Sequence, residues 1–373
     1  MKKRIGVLTT GGDSPGINAA LRGLGKAASG VYGMEIIGFQ DGFTGMAQGL
    51  TVELEGSAFS GILTTGGTIL GTNRDRPDRV IIDGVAKDAT DQILENYKKL
   101  KLYALVCIGG SDAQNSAYYL MQRGLNVITL PVTIDNDLTG TDTSIGFDTA
   151  VEVAAEAIDR LHSTAISHHR IIIVEMMGRE TGWLTLAAGI AGGADVILIP
   201  EIPYHTEKVA EAILQRSHKG KRFSLVAVSE GAISQESVRF FEKARLANRR
   251  LRQGEEQSEI EQRLGTIEKR AAGDTLHLAN RLEDFTKLET RITILGYLQR
   301  GGTPSATDRV LATQLGTACA ALIQEGVFGV MVGTRSGTVV TTPLAEVANQ
   351  TKAVPLDHAW IQGARLVGVS LGD

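Results

Sequence analysis

Three times before residue 112 an apolar run stops at paired glycines followed by a small polar residue. Ile5-Gly6-Val7-Leu8-Thr9-Thr10 leads into Gly11-Gly12-Asp13, Thr64-Thr65 into Gly66-Gly67-Thr68, and Ala104-Leu105-Val106-Cys107-Ile108 into Gly109-Gly110-Ser111. Short β-branched runs of this kind read as buried strands, and glycine at the strand-to-helix turn lets backbone N–H groups approach an anion closely. A single Gly-Gly-Asp can be a plain βα turn. Three repeats point to several loops converging on one ligand at a sheet edge, with a polyphosphate as the natural candidate. Neither GxGxxG nor GxxxxGK[ST] occurs at the first loop, which argues against a dinucleotide or Walker-type site there.

The runs continue along the chain. Glu35–Phe39, Leu125–Leu130, Ile171–Glu175, Asp195–Ile199 and Phe223–Val228 read as strands, as do Arg291–Arg300, ending in an arginine and glycines, and a closing pair around Gly329–Val332 and Gly337–Thr342. Helical spacing occupies 146–162, Leu184–Ala191 and the stretch after Asp308-Arg309 to Ile323. The rhythm predicts an α/β protein of two doubly wound, mainly parallel-sheet lobes with the active site between them. A larger lobe would comprise 1–145 with a return over about 291–330, a smaller lobe 146–290, and a closing segment 331–373. Residues 236–286 are charged with sparse apolar positions and read as an exposed helical insertion.

Composition narrows the partners. Of 373 residues 43% are hydrophobic, and 38 Lys+Arg against 42 Asp+Glu give a net charge of −4, so no strong field draws the chain to nucleic acid or to an anionic membrane. The short segment Ile5–Thr10 is no signal core and no run of eighteen apolar residues occurs, so a cytoplasmic location is expected. Cys107 and Cys319 lack metal or disulfide spacing and read as small core residues. His168 and His169, adjacent in sequence, read as a surface loop rather than as ligands of one ion.

The strongest chemistry lies at Pro131-Val132-Thr133-Ile134-Asp135-Asn136-Asp137. Asp and Asn favour turns in any protein. Placed after a buried strand, however, two carboxylates can divide the labour of phosphoryl transfer, one accepting a hydroxyl proton and the other helping to hold Mg²⁺, with Thr133 bonding the incoming phosphate. The basic cluster Arg74, Arg76 and Arg79 can meet a polyphosphate.

Gly11-Gly12-Asp13-Ser14-Pro15-Gly16-Ile17-Asn18, Gly66-Gly67-Thr68-Ile69-Leu70-Gly71, Thr133-Ile134-Asp135-Asn136-Asp137, Met177-Gly178-Arg179, Pro200-Glu201 and Gly296-Tyr297-Leu298-Gln299-Arg300-Gly301-Gly302 resemble the phosphofructokinase family in family order, and the resemblance runs over essentially the whole chain. The resemblance implies a glycolytic enzyme that moves a phosphoryl group onto the C1 hydroxyl of fructose 6-phosphate. It acts with Mg²⁺, as a homotetramer or alternatively a homodimer. It implies Asp135 as general base, Thr133 and Arg179 as stabilisers of the transferring group, and Asp137 with Ser111 at the metal. Gly11, Gly12, Arg74, Gly109, Gly110, Ser111 and Asp112 would meet the donor. Met177, Gly178, Glu230, Tyr297 and Arg300 would bind the sugar, with Arg170 and Arg291 clamping the 6-phosphate from a neighbouring subunit.

The donor loop departs from the pattern. ATP-using members carry Gly-Gly-Asp-Gly-Ser where this chain has Gly109-Gly110-Ser111-Asp112-Ala113. Asp112 resembles the pyrophosphate-using arrangement, yet the lysine those members place before Thr-Ile-Asp-Asn-Asp is Val132 here. Three readings follow: an ATP-dependent enzyme, a pyrophosphate-dependent one, and a catalytically impaired sugar-phosphate-binding regulator. The family's effector site is matched in kind by Arg22, Lys26 and Lys221, whereas His162 and Phe223 stand where an arginine and a histidine are expected, which predicts an altered effector response.

Overall fold

Most of the apolar runs become strands; the run before Gly66 is instead a 3-10 turn, Ile62–Thr64, and the run from Arg291 leaves the sheet at Ile294, with Gly296–Arg300 a second 3-10 turn. In the computed structural model, which describes residues 2–82, 84–238 and 275–373, thirteen strands are assigned among the described residues. They are β1 Arg4–Thr10, β2 Glu35–Phe39, β3 Thr51–Glu53, β4 Val80–Ile82, β5 Val85–Lys87, β6 Ala104–Gly109 and β7 Val127–Pro131, then β8 Ile171–Met176, β9 Val196–Leu198, β10 Ser224–Ser229, β11 Thr290–Ile294, β12 Val330–Arg335 and β13 Thr338–Pro343. The chain divides into two compact units, the first of Met1–Ala150 with Arg300–Lys352 and the second of Val151–Gln299 with Ala353–Asp373.

The first unit holds a seven-stranded sheet in the order β13-β12-β7-β6-β1-β2-β3. Its five inner strands pair in parallel, and the edge strands β3 and β13 are antiparallel. Nearly every residue of β1, β6 and β7 is buried, as parallel strands covered on both faces require. One face carries α1, Ile17–Gly30, and the helix Ala306–Glu325, which pack Leu21, Leu24, Leu315 and Ile323 onto Ile5, Val7, Val106 and Ile128. These two helices approach closely because Gly23 and Gly316 face one another's backbones. A Cβ on Gly316 would lie 2.6 Å from the carbonyl oxygen of Ala20. The other face is closed by α2, Gly42–Gln48, α3, Thr90–Lys99, and α4, Ser111–Met121, through Phe43, Met46, Ile93 and Leu120. Truncating a fully buried leucine such as Leu105 costs about 2–5 kcal/mol, a large share of a typical net stability of about 5–15 kcal/mol.

The second unit holds an all-parallel four-stranded sheet in the order β11-β8-β10-β9. Here α5, Phe147–His168, runs beyond the expected residue 162, because Ala165 continues its buried face. α6, Trp183–Ala191, and α7, Thr206–His218, follow in order. The chain end returns to this sheet, where Ile197 N–H donates to Ser370 O at 2.9 Å and His205 N–H to Gly372 O at 2.7 Å. Of the charged stretch 236–286, residues 239–274 lie outside the described residues. Thr275–Thr286 is a helix that buries Leu278, Ala279 and Leu282 against Val226, Ile213 and their neighbours. Cys107 and Cys319 are buried free thiols, and burial pushes both above their ordinary pKa. His168 and His169 are exposed.

Candidate active site

Strand register gathers the glycine loops of the first unit. Thr10 pairs with Gly109, and Gly109 pairs with Pro131. The loops that follow β1, β6 and β7 therefore leave one carboxyl edge side by side. They touch: a Cβ on Gly109 would collide with the Thr10 carbonyl oxygen, and one on Gly110 would meet the Thr133 side chain at 3.4 Å. The third glycine loop folds over the same edge, as Gly11 N–H donates to Asn73 O at 2.7 Å and Thr72 Oγ1 to Gly11 O at 3.0 Å. Asn18, at the start of α1, ties it further by donating to Thr65 O and Gly66 O and accepting from Ile69 N–H. Arg300 lies against Gly12, with Nη1 donating to Asp13 O at 3.2 Å.

Thr133, Asp135 and Asp137 stand on this edge in a loop that closes on itself through a bridge between Val132 and Ile145. Exposure alternates along it: Ile134, Asn136 and Leu138 are buried, and Thr133, Asp135 and Asp137 only partly so. Asn136 has φ 51°, a left-handed conformation that asparagine tolerates better than most residues. Its Oδ1 accepts from Ser144 N–H at 3.0 Å. The Thr133 hydroxyl oxygen accepts from Asp135 N–H at 3.2 Å, which leaves its proton to donate outward. Lys352, at the end of the unit, donates from Nζ to Asn136 Oδ1, Thr141 O and Asp142 O at 3.2, 2.9 and 3.0 Å, and from its backbone N–H to Asp137 O at 2.7 Å. Burial pushes the lysine down to about 8, against the opposing pull of Asp142 and Asp137.

Ser111 and Asp112 are the first two residues of α4, Ser111 exposed and Asp112 partly so. The arginine cluster opens onto a cleft of about 580 Å³ lined by Arg74, Arg76 and Arg79 together with Asp75, Asp78 and Lys87. The cluster is less uniformly basic than its sequence suggests, because Arg76 is held by Asp78 at 2.6 Å. That bond and the Asp78 charge raise the Arg76 guanidinium pKa, and the more distant Asp112 adds to them.

The second unit repeats the edge logic for the acceptor residues. Ser229 pairs with Met176, and Ile294 with Glu175, so Met177, Gly178 and Arg179, then Glu230, then Tyr297 all leave the carboxyl edge of one sheet. Glu230 N–H donates to Met176 O at 2.8 Å and Gly231 N–H to Gly178 O at 3.2 Å. Gly178 has φ 127°, a conformation open to glycine. Tyr297 is 80% exposed. Arg170 and Arg291 do not join this group. Arg170 immediately precedes β8, about 20 Å from Met177 by the rise of a six-residue strand, and Arg291, the second residue of β11, pairs with Ile172 near that same end. Both bond the Glu289 carboxylate, Arg170 through Nε at 2.5 Å and Nη2 at 3.1 Å. Glu201 serves structure, accepting from Gly182 N–H at the start of α6 and from Val354 N–H at 2.9 Å. His162 packs edge-on against Phe223, ring centroids 5.0 Å apart.

A family model described as Phosphofructokinase matches residues 4–323. The chain belongs to the phosphofructokinase family. A protein of Propionibacterium freudenreichii named ATP-dependent 6-phosphofructokinase is 52% identical over 373 residues, covering 100% of both chains. One of the same name from Spirochaeta thermophila is 48% identical over 377 residues, covering 100% of this chain and 98% of the relative. The T-state phosphofructokinase structure of Pichia pastoris superposes with a TM-score of 0.76 at 31% identity, over 93% of this chain and 35% of that longer one. A pyrophosphate-dependent phosphofructokinase from Marinobacter aquaeolei gives a TM-score of 0.78 at 23% identity, over 99% and 92% of the two chains, a likeness of fold.

Against that phosphofructokinase background, three polar residues escaped the sequence reading. Lys352 sits in the nondescript run Asn349-Gln350-Thr351-Lys352. Glu289 is one charge among many. Asp308, fully buried, accepts from Gly146 N–H at 2.8 Å, Thr149 N–H at 2.8 Å and Thr149 Oγ1 at 2.5 Å. Burial pushes its carboxyl up, and these donors oppose the shift. Only the Asp308-Arg309 pair ahead of an apolar helix could have drawn attention to it.

Proposed function

We propose that this phosphofructokinase transfers the terminal phosphoryl group of ATP to the C1 hydroxyl of fructose 6-phosphate, giving fructose 1,6-bisphosphate in the glycolysis of the cytoplasm. The observation that carries the proposal is the register of β1, β6 and β7, which sets the loop of Asp135 and Asp137 beside two backbone-rich glycine loops, with a third bonded to the first through Gly11. The full-length relatives at 52% and 48% identity, both named for ATP, favour that donor. No helix among the described residues is long and apolar enough to cross a membrane.

Asp135 takes the proton of the C1 hydroxyl, and the Thr133 hydroxyl and the Arg179 guanidinium bond the transferring oxygens. Gly11, Gly12, Gly109 and Gly110 keep the backbone bare where phosphates approach, and Arg74 and Arg300 add positive charge. Met177, Gly178, Glu230 and Tyr297 receive the sugar. Arg170 and Arg291, at the opposite end of their strands, serve the 6-phosphate of a neighbouring subunit in a homotetramer or homodimer. Among the described residues no three His, Cys, Asp or Glu side chains gather as a metal cage. Magnesium carried by donor phosphates asks for only one or two carboxylates. The hard oxygen donors of Asp137 and Ser111 fit it. Mg²⁺ would supply charge neutralisation at the phosphates there.

A second reading, pyrophosphate as donor, is favoured by Asp112 in the first turn of α4, where a carboxylate crowds and repels an α-phosphate. Fructose 1,6-bisphosphate formation with ATP and with pyrophosphate, on wild type and Asp112→Gly, tests both. Turnover with ATP is expected. Turnover with pyrophosphate alone, shifting to ATP in the variant, would replace the first reading by the second. Silence with both donors despite sugar binding would make the protein a sugar-phosphate-binding regulator.

A further inference from the structure

We propose that Lys352 is a positioning residue of the phosphoryl-transfer site, aiming Asp135 and Asp137 by locking the loop between them and Asp142 from behind. The role rests on the phosphotransferase reading above. An ammonium has three N–H donors, and this one has three oxygen acceptors from the loop: the Asn136 side chain and the carbonyls of Thr141 and Asp142. The lysine backbone adds a fourth bond, to the carbonyl of Asp137. One residue thus grips both arms of the turn, and it does so through the residue between the two carboxylates.

That middle residue needs a grip. Asn136 stands at φ 51°, a conformation that persists only where its surroundings over-determine it. Its Oδ1 is shared by Ser144 N–H and Lys352 Nζ, and its Nδ2 reaches Asp142 O at 3.4 Å. Because Asn136 points inward while its neighbours point outward, a rotation of its backbone would swing Asp135 and Asp137 together. The far arm is fixed independently, since Asp142 N–H donates to Thr334 O at 2.8 Å and Asp142 Oδ2 accepts from Ser336 N–H at 2.6 Å. Lys352 links the near arm to this anchored one. Its ammonium bonds Asn136 and two backbone carbonyls, and through them it acts on the chemistry by way of the loop.

The test uses the full chain with Lys352→Met, which keeps most of the stem and removes the ammonium. We expect kcat to fall about 100-fold, the scale of a reacting group misplaced by an ångström, with KM for fructose 6-phosphate and ATP held within about threefold. Amide hydrogen exchange without substrate should quicken in residues 134–145 and stay unchanged in β1 and β6. Lys352→Ala, should the methionine variant fail to fold, should regain at least about tenfold in kcat on adding n-propylammonium and nothing on adding n-propanol. A folded Lys352→Met protein with kcat within about threefold of wild type overturns the role. Exchange that rises throughout the first unit, with kcat and KM moving together, also overturns it, in favour of general support of the fold. A wild type that phosphorylates fructose 6-phosphate from neither donor removes the phosphotransferase reading, while the exchange measurement still decides whether Lys352 holds the loop.

Discussion

The candidate residues Thr133, Asp135 and Asp137 and the glycine loops gather at the carboxyl edge of the seven-stranded sheet, whereas the candidate residues of the second unit are divided between both ends of its four-stranded sheet. In the first unit the glycine loops after β1 and β6 and the loop of Thr133, Asp135 and Asp137 follow strand ends, and the third glycine loop, which follows a 3-10 turn, is hydrogen-bonded over the same edge. In the second, Met177, Gly178, Arg179, Glu230 and Tyr297 follow strand ends, while Arg170 precedes β8 and Arg291 is the second residue of β11. Arg170 stands about 20 Å from Met177 along β8, farther than a hexose phosphate reaches. On the proposed reading that separation assigns Arg170, and Arg291 beside it, to a neighbouring copy.

The largest effect expected tests the first edge. Asp135→Asn should lower kcat about 1000-fold with KM for fructose 6-phosphate within about threefold, as loss of a general base does. A steady-state assay showing kcat within tenfold of wild type would remove Asp135 from that role. Next, Arg170→Ala should raise KM for fructose 6-phosphate about 30-fold, or ~2 kcal/mol of charge-assisted bonding. Mixing it with Asp135→Asn after partial dissociation should create a population with KM for fructose 6-phosphate near wild type, because hybrids contain one intact site. Mixtures in which every active site keeps the raised KM of Arg170→Ala would collapse the two-copy view.

A third test compares neighbouring glycines. Gly109→Ala forces a Cβ into the Thr10 carbonyl and should cost about 1–3 kcal/mol in thermal unfolding, while Gly110→Ala meets Thr133 at ordinary contact distance and should cost less than about 0.5 kcal/mol. Equal losses would mean that the β1 and β6 ends are not packed as described. The smallest effect concerns Glu289, whose carboxyl the Arg170 guanidinium, with Arg291 beside it, holds below the usual range. A depressed carboxyl contributes stability above its unfolded value of about 4.3, and that contribution is lost as pH falls through the lower folded value. Glu289→Gln should therefore flatten the acid limb of the melting profile and leave neutral pH little changed. An unaltered acid limb would say that the arginines are not paired in solution.

Much of this was legible because buried parallel strands must be apolar and their ligand loops must be glycine-rich. β2 falls where its pattern placed it, and β1, β6 and β8 within a residue or two. The helices α2 and α4 were not legible. Gly42 and Gly45 mask the first, and the second opens with Ser111-Asp112, residues that read as loop. The direction of Thr133, Asp135 and Asp137 followed from their place after β7, but what fixes that direction did not. Lys352 bonds a loop 210–216 positions earlier, and no local pattern records so distant a partner. The pairing of Arg170 with Glu289 across 119 positions is hidden for the same reason.

The closure of the first unit by residues 300–352 also sets a timetable for synthesis. β7 and the loop after it leave the ribosome long before β12, which pairs with β7, and before Lys352, 210 positions beyond Asp142. At translation rates of about 5–20 residues per second the nascent loop waits roughly 10–40 s for its last partner. On the proposed role of Lys352, a growing chain holds its two carboxylates unaimed until residue 352 has been made and has bonded the loop.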